Sequence, residues 1–187
     1  MHPDSYIYFR LIRNPLDLQI KRLIKIFVSL VIIFSNISCD QITKEKVRKE
    51  ISKNETVKVI GDNFILTKVE NTGAALSLGE NLTPNLKIIF SQVLPLLVLL
   101  FMFVYIVKEK KITKFNLIGF SFIIGGRIGN IYDRILFNSV TDFMYLEYGY
   151  LHTGIFNMAD VSVVVGTLLI LLNSVISELK KYQLKKT

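Results

Sequence analysis

Long, nearly uninterrupted apolar stretches separated by clusters of lysine leave this chain few ways to fold. The longest runs from Leu86 to Val107 and is long enough by itself to cross a bilayer, which takes about 20 apolar residues. Thr83-Pro84 before it suits a helix start, and Pro95 inside it should bend it. Shorter runs lie at about 23–42, 115–131 and 159–176. The first is weakest, because its uninterrupted part ends near Ser38 and Lys25 must snorkel at one end. The overall balance agrees: 51% of the residues are hydrophobic, and the mean hydropathy of +0.43 is high for a soluble domain of this length. The chain therefore reads as one membrane domain over 21–178, with an extension of no assigned role at 1–20 and a basic tail at 179–187.

The net charge of +8 invites a nucleic-acid reading, but the positions of the charges oppose it. Lys21, Arg22 and Lys25 precede the first run, Lys108, Lys110, Lys111 and Lys114 separate the second from the third, and Lys180, Lys181, Lys185 and Lys186 follow the last. Basic residues in alternate gaps mark the cytoplasmic side. Four spans then put both termini in the cytoplasm and turn two segments outward, about 41–83 and 134–158. In the first, "TVKVIGDNFILTKVEN" alternates around Gly61-Asp62-Asn63, which predicts a β-hairpin. The second is aromatic and sparsely charged, a composition suited to the interface. One cysteine excludes an internal disulfide, and no His, Cys and acid spacing suggests a metal.

On this topology the polar residues collect at the outer face: Asp40, Asn130, Asp133, Arg134, Asp142, Asn157 and Asp160, with Asn71 able to join them. Ionisable groups at that depth are costly, so they mark a site or a helix end. "NIYD" closes the third run and "NMAD" opens the fourth, and an Asn and an Asp three apart share a helix face. Each Asn could then bond its own Asp. Asn157 and Asp160 also fit a helix cap with an acid at its third position. Gly125 and Gly129 form a small-xxx-small pair that admits a neighbouring helix. Ser91 and Gln92 are expected to bond another helix, and His152 to lie in a loop.

Two carboxylates can hydrolyse an amide by dividing the work, one taking a proton from water and the other giving one to the carbonyl oxygen. Asp133 has Arg134 beside it and Arg127 nearby, which suits an ion pair or a helix end. Asp142, in "SVTDFMY", has no basic neighbour in sequence, so burial would raise its pKa as a general acid requires. Asp160 sits in a first helical turn, where the dipole favours an anion. The division that follows is Asp142 protonated and Asp160 ionised.

The ordered motifs "DQITK" (40–44), "NTGAALSLG" (71–79), "GGRIGNIYDR" (125–134), "VTDF" (140–143) and "FNMADVSVVVG" (156–166) resemble those of lipoprotein signal peptidase, signal peptidase II, over about residues 20–178. The resemblance implies a mainly α membrane protein. Four transmembrane helices would carry a small extracytoplasmic β-cradle and an extracytoplasmic loop or short helix. It implies an aspartic endopeptidase of the cytoplasmic (inner) membrane, acting as a monomer at the outer face without a cofactor. Its partners would be membrane lipids and prolipoproteins, cut before a diacylglyceryl-modified cysteine, and globomycin its typical inhibitor. The catalytic pair falls on Asp142 and Asp160. Asp40, Lys44, Asn71, Gly73, Gly129, Asn130, Asp133, Arg134, Asn157 and Ala159 fall on positions that bind substrate or brace the site. Thr141 stands where a second Val is usual and Leu76 where an aromatic is common; Thr141 could add a hydrogen bond beside Asp142.

Two rivals belong to other classes. "LVIIFSNISCD" itself looks like a lipoprotein signal, so the chain could be lipid-anchored through Cys39, although three more runs follow. A small transporter or channel subunit could also carry several acids in four spans.

Overall fold

The computed structural model describes residues 3–53, 55–73, 83–184 and 186, with side chains from residue 16 onward. Helix α1 spans Pro3–Glu50. It runs without a break across residue 20, where the sequence has no clear period, and two turns beyond the expected end of the first span. A buried stripe recurs every three or four residues along its second half: Ile33, Asp40, Lys44, Val47 and Ile51. This face makes α1 a packing partner inside the fold, while Phe27 and Phe34 on its other faces stay exposed.

The second apolar run forms one bent rod. Helix α2, Pro84–Ile88, passes through a π-helical turn at Ile89–Val93 into α3, Leu94–Lys108. Pro95 lies just past that turn and lacks the N–H that Ser91 would otherwise receive, so the wider turn is its local consequence. Ser91 Oγ donates to Lys87 O at 2.6 Å, within its own rod rather than to another helix as expected. Helix α4, Lys114–Phe137, starts at Thr113, whose side chain accepts from Asn116 N, and ends at Asn138 in the left-handed region. Helix α5 is Met158–Leu184.

Four strands form one antiparallel sheet in sequence order. β1, Thr56–Ile60, and β2, Phe64–Asn71, make the expected hairpin, with Gly61 at φ 54° in its turn. β3, Val140–Tyr148, and β4, Leu151–His152, occupy the segment expected as a loop or short helix. The expectation fails because β2 offers an unpaired edge: Val69 faces Asp142 and Asn71 faces Val140 across it. His152 lies on β4 rather than in a loop.

Helix α4 is the hub, packing most closely on α5 and then on α1. Glycines make this possible. A Cβ on Gly125 would stand 2.8 Å from that of Asn36, and one on Gly126 would strike the Ala159 carbonyl. One apolar core, including Ile33, Leu99, Ile106, Ile124 and Ile131, sits among the helices. A second, Val47, Ile51, Phe143 and Met144, joins the end of α1 to the sheet. Outside these cores the helices are apolar where they are exposed: Phe27 is 69% exposed, Phe101 72% and Leu168 59%. Such a surface suits lipid, not water. Among the described residues, three helical segments are long and apolar enough to cross a membrane: Leu16–Glu50, Pro84–Lys108 and Met158–Leu184.

Candidate active site

The polar residues meet where the ends of α1, α4 and α5 face β3. Asp142 is delivered by β3, opposite Val69, and Asp160 by the first turn of α5. Asn157 stands between them. Its Nδ2 donates to Asp142 Oδ1 at 2.6 Å, and its backbone N–H to Asp160 Oδ2 at 3.2 Å. Asp160 N donates back to Asn157 Oδ1 at 3.1 Å, which completes a reciprocal helix cap. The cap reading and the site reading of this pair are thus compatible, because the cap fixes where the carboxylate points.

The second Asn–Asp echo works differently from the sequence expectation. Asn130 Nδ2 donates to Asp160 Oδ1 at 3.0 Å rather than to its own Asp133. Its Oδ1 accepts from Lys44 Nζ at 2.8 Å and from Asn157 Nδ2 at 3.1 Å. A cation at the oxygen end fixes the amide's orientation and leaves its N–H group for Asp160. Asn71, at the end of β2, donates to Asp142 Oδ2 at 3.0 Å.

Beneath this layer lies a dry ionic cluster. Lys44 Nζ sits 2.8 Å from Asp40 Oδ2 and 2.9 Å from Asp133 Oδ2, with all three side chains fully buried. Arg48 reaches Asp133 Oδ1 at 2.9 Å. Two acids against two cations leave no net charge, the condition under which buried ions persist. Asp133 therefore anchors α1, not Arg134 as its sequence neighbour suggested. Arg134 instead donates to Gly73 O at 2.9 Å and Asn130 O at 3.3 Å. Asp40 Oδ1 accepts from Ala159 N at 2.9 Å, which ties α1 to the start of α5. Gly129 has no side chain because Asp40 Oδ2 would lie 2.6 Å from a Cβ there.

Three participants escaped the sequence reading. Gln41 donates to Asp133 Oδ1 and Gly129 O, Arg48 joins the ionic cluster, and Glu70 accepts from Ser139 and Thr141. The four-residue spacing Asp40, Lys44, Arg48 was the signal that could have found Arg48. Thr141 does place a hydrogen bond beside Asp142: its Oγ1 donates to Glu70 and accepts from Arg48 Nε at 2.8 Å. Of "NTGAALSLG", residues 74–79 lie outside the described residues, as does Leu76.

A cavity of about 210 Å³ opens over this layer, lined by Asn71, Arg127, Asn130, Arg134, Asp142 and Asp160 among others. Burial pushes the Asp142 carboxyl up to about 6. The amide of Asn71 opposes the rise and the charge of Asp160 adds to it. At pH 7 such a group is protonated in roughly one molecule in ten. The upward direction is the one the sequence reading expected from burial of Asp142.

Bilayer-compatible helices with two carboxylates held over one cavity at their ends have the parts that a membrane peptidase of the aspartic type needs. Comparison with known proteins supplies the family. The model of Signal peptidase (SPase) II matches residues 31–176. The lipoprotein signal peptidase of Clostridium novyi is 36% identical over 142 residues, 75% of this chain and 92% of its own. That of Borrelia hermsii is 36% identical over 163 residues, 83% of this chain and 94% of its own. A bacterial membrane enzyme solved in meso at 2.3 Å superposes with a TM-score of 0.72 and 26% identity, over 81% of this chain and 89% of that one. The chain belongs to the signal peptidase II family.

Proposed function

We propose that this protein removes signal peptides from lipid-modified prolipoproteins, cutting before the diacylglyceryl-cysteine, with Asp160 as general base and Asp142 as general acid. The observation that carries the reading is the bridge through Asn157, which holds both carboxylates over one cavity. Asp160 faces N–H donors at a helix N-terminus, a setting that suits an anion. It takes a proton from water as the water's oxygen attacks the scissile carbonyl carbon. Asp142 gives its proton to the carbonyl oxygen, forming a neutral tetrahedral diol. Return of a proton from Asp160 to the amide nitrogen, with one diol hydroxyl giving its proton back to Asp142, then breaks the C–N bond and releases the amine and a carboxylic acid, with no covalent enzyme intermediate. Substrate that dries the cavity raises Asp142 further and increases its protonated share. Asn71, Asn130 and Arg134 hold the peptide backbone and lipid head region.

In the same proposal α4 also crosses the membrane, as the third of four spans, both termini are cytoplasmic, and the site lies at the outer face of the inner membrane. Helix α4 carries charge at its site end, which keeps it out of the apolar class while its 24 residues reach about 36 Å. The acyl chains stay in the bilayer, so embedding the enzyme brings lipidated substrate and site together by position alone. A monomer suffices, since both carboxylates come from one chain.

The test is cleavage of a purified lipidated precursor by wild type, Asp142→Asn and Asp160→Asn. Each variant should lose at least about a hundredfold in turnover, and globomycin should block the wild type. Substantial cleavage by either variant would remove the dyad. Acid-independent uptake of ions by the reconstituted protein, without cleavage, would favour a transporter. A mature form beginning at acylated Cys39 would favour the lipid-anchored reading.

A further inference from the structure

The far end of the helices holds a second cavity, of about 420 Å³, between the start of α1 and the end of α3. Among the described residues five cations line it, Lys21, Arg22, Lys25, Lys108 and Lys110, together with apolar Leu18 and Val107, and no acid. Asp17 pairs with Lys21 at 2.8 Å, which occupies one of the five. Lys25 Nζ donates to Glu109 O at 2.6 Å, so it clamps α1 onto the end of α3 and shapes the cavity. Arg22, Lys108 and Lys110 are left as exposed cations directed at the same space. Leu18, 52% exposed, and Val107 give the cavity its apolar walls.

We infer that this cleft is a binding site for one anionic phospholipid, its phosphate among Arg22, Lys108 and Lys110 and its acyl chains along the apolar faces of α1 and α3. Repulsion among cations fixed around a cleft is relieved by an anion, and a basic pocket between membrane helices suits a lipid phosphate. The apolar walls decide between a lipid and a free phosphate, because a free ion gains nothing from Leu18 or Val107. Arg22 can grip two phosphate oxygens at once, while the lysines act as point charges. The lipid would brace α1 against α3 at the end opposite the proposed active site, independently of the reaction that site performs.

The full chain, purified in a neutral detergent, is titrated with dioleoyl phosphatidylglycerol, dioleoyl phosphatidylcholine or inorganic phosphate. Retained lipid is counted by native mass spectrometry and stabilisation is read from the melting temperature. Phosphatidylglycerol should be retained and raise the melting temperature; the other two probes should do neither. The variant Arg22→Gln/Lys108→Gln/Lys110→Gln should bind phosphatidylglycerol roughly tenfold or more weakly. A control, Lys180→Gln/Lys181→Gln/Lys186→Gln, removes the same charge from the end of α5 and should bind as wild type. Equal weakening in both variants would reduce the effect to the general field of the basic end and overturn the site. Retention unchanged by the cleft variant, or equal stabilisation by inorganic phosphate, would overturn it too.

Discussion

Asp142, the proposed general acid, is held in the fold at the expense of stability at neutral pH. Its ordinary value is 3.8 and burial raises it to about 6, so the folded state binds the proton more tightly than the unfolded chain. Stability from this group is fully present below the unfolded value and is lost as pH rises through the folded one. The difference in unfolding free energy between wild type and Asp142→Asn should therefore fall by about 2 kcal/mol between pH 4 and pH 7. Melting curves of both proteins in detergent check this, and a flat or rising difference would contradict a raised pKa. The kcat/KM profile should show an alkaline limb in the same region if Asp142 is the acid. Lys44 carries the opposite sign of expectation. Replacing it with Met strands Asp40 and Asp133 without their shared cation and should cost about 3–5 kcal/mol. It also frees the Asn130 amide to turn, so turnover should fall in whatever protein still folds. Asp40, Asn130, Asp142, Asn157 and Asp160 were legible as a cluster because their depth on the apolar runs agreed. Their pairings were not, because adjacency in sequence suggested Asp133 with Arg134 while the fold joins residues on three different helices.

At the scale of elements, helix contacts and the sheet position the site by different means. Helices α4 and α5 approach through Gly126, where an added Cβ would strike the Ala159 carbonyl, one residue before Asp160. A methyl group there meets the Ala159 carbonyl first, then Ser162 Cβ at 3.0 Å and Val163 Cγ2 at 3.2 Å, so the backbone must give. Gly126→Ala should thus cost about 1–3 kcal/mol and displace Asp160, lowering the melting temperature and kcat together. The sheet is tied to the helices through Thr141, between Glu70 of β2 and Arg48 of α1. Thr141→Val keeps the shape but loses both bonds; about 1–3 kcal/mol and a raised KM are expected, with Thr141→Ser restoring KM. The hairpin was readable from alternation around Gly61. Strand β3 was not, since Val140–Tyr148 owes its conformation to the edge of β2, a partner about seventy residues away that local pattern cannot reveal. The continuation of α1 past residue 42 was hidden for a similar reason. Its polar residues are inward-facing ions, and they read as a loop until their partners on α4 are known.

For the whole molecule, the two ends differ in chemistry, and that asymmetry carries the proposed orientation. One end gathers Lys21, Arg22, Lys25, Lys108, Lys110, Lys114, Lys180 and Lys181, and the other holds the sheet, the neutralised ionic cluster and the two carboxylates. Basic residues resist transfer across the membrane, so the first end should remain in the cytoplasm. Tyr150, fully exposed in the turn between β3 and β4, should then be reachable from outside, and Lys186, beyond α5, should not. In a Cys39→Ser background, Tyr150→Cys should react with a membrane-impermeant maleimide added to intact spheroplasts. Lys186→Cys should react only after the membrane is opened. Labelling of Lys186→Cys in intact spheroplasts, with Tyr150→Cys protected, would invert the topology and place the cavity in the compartment where its proposed substrate is made rather than exported. Equal labelling of both would mean that α5, the helix between them, does not cross the bilayer, and would overturn the four-span proposal.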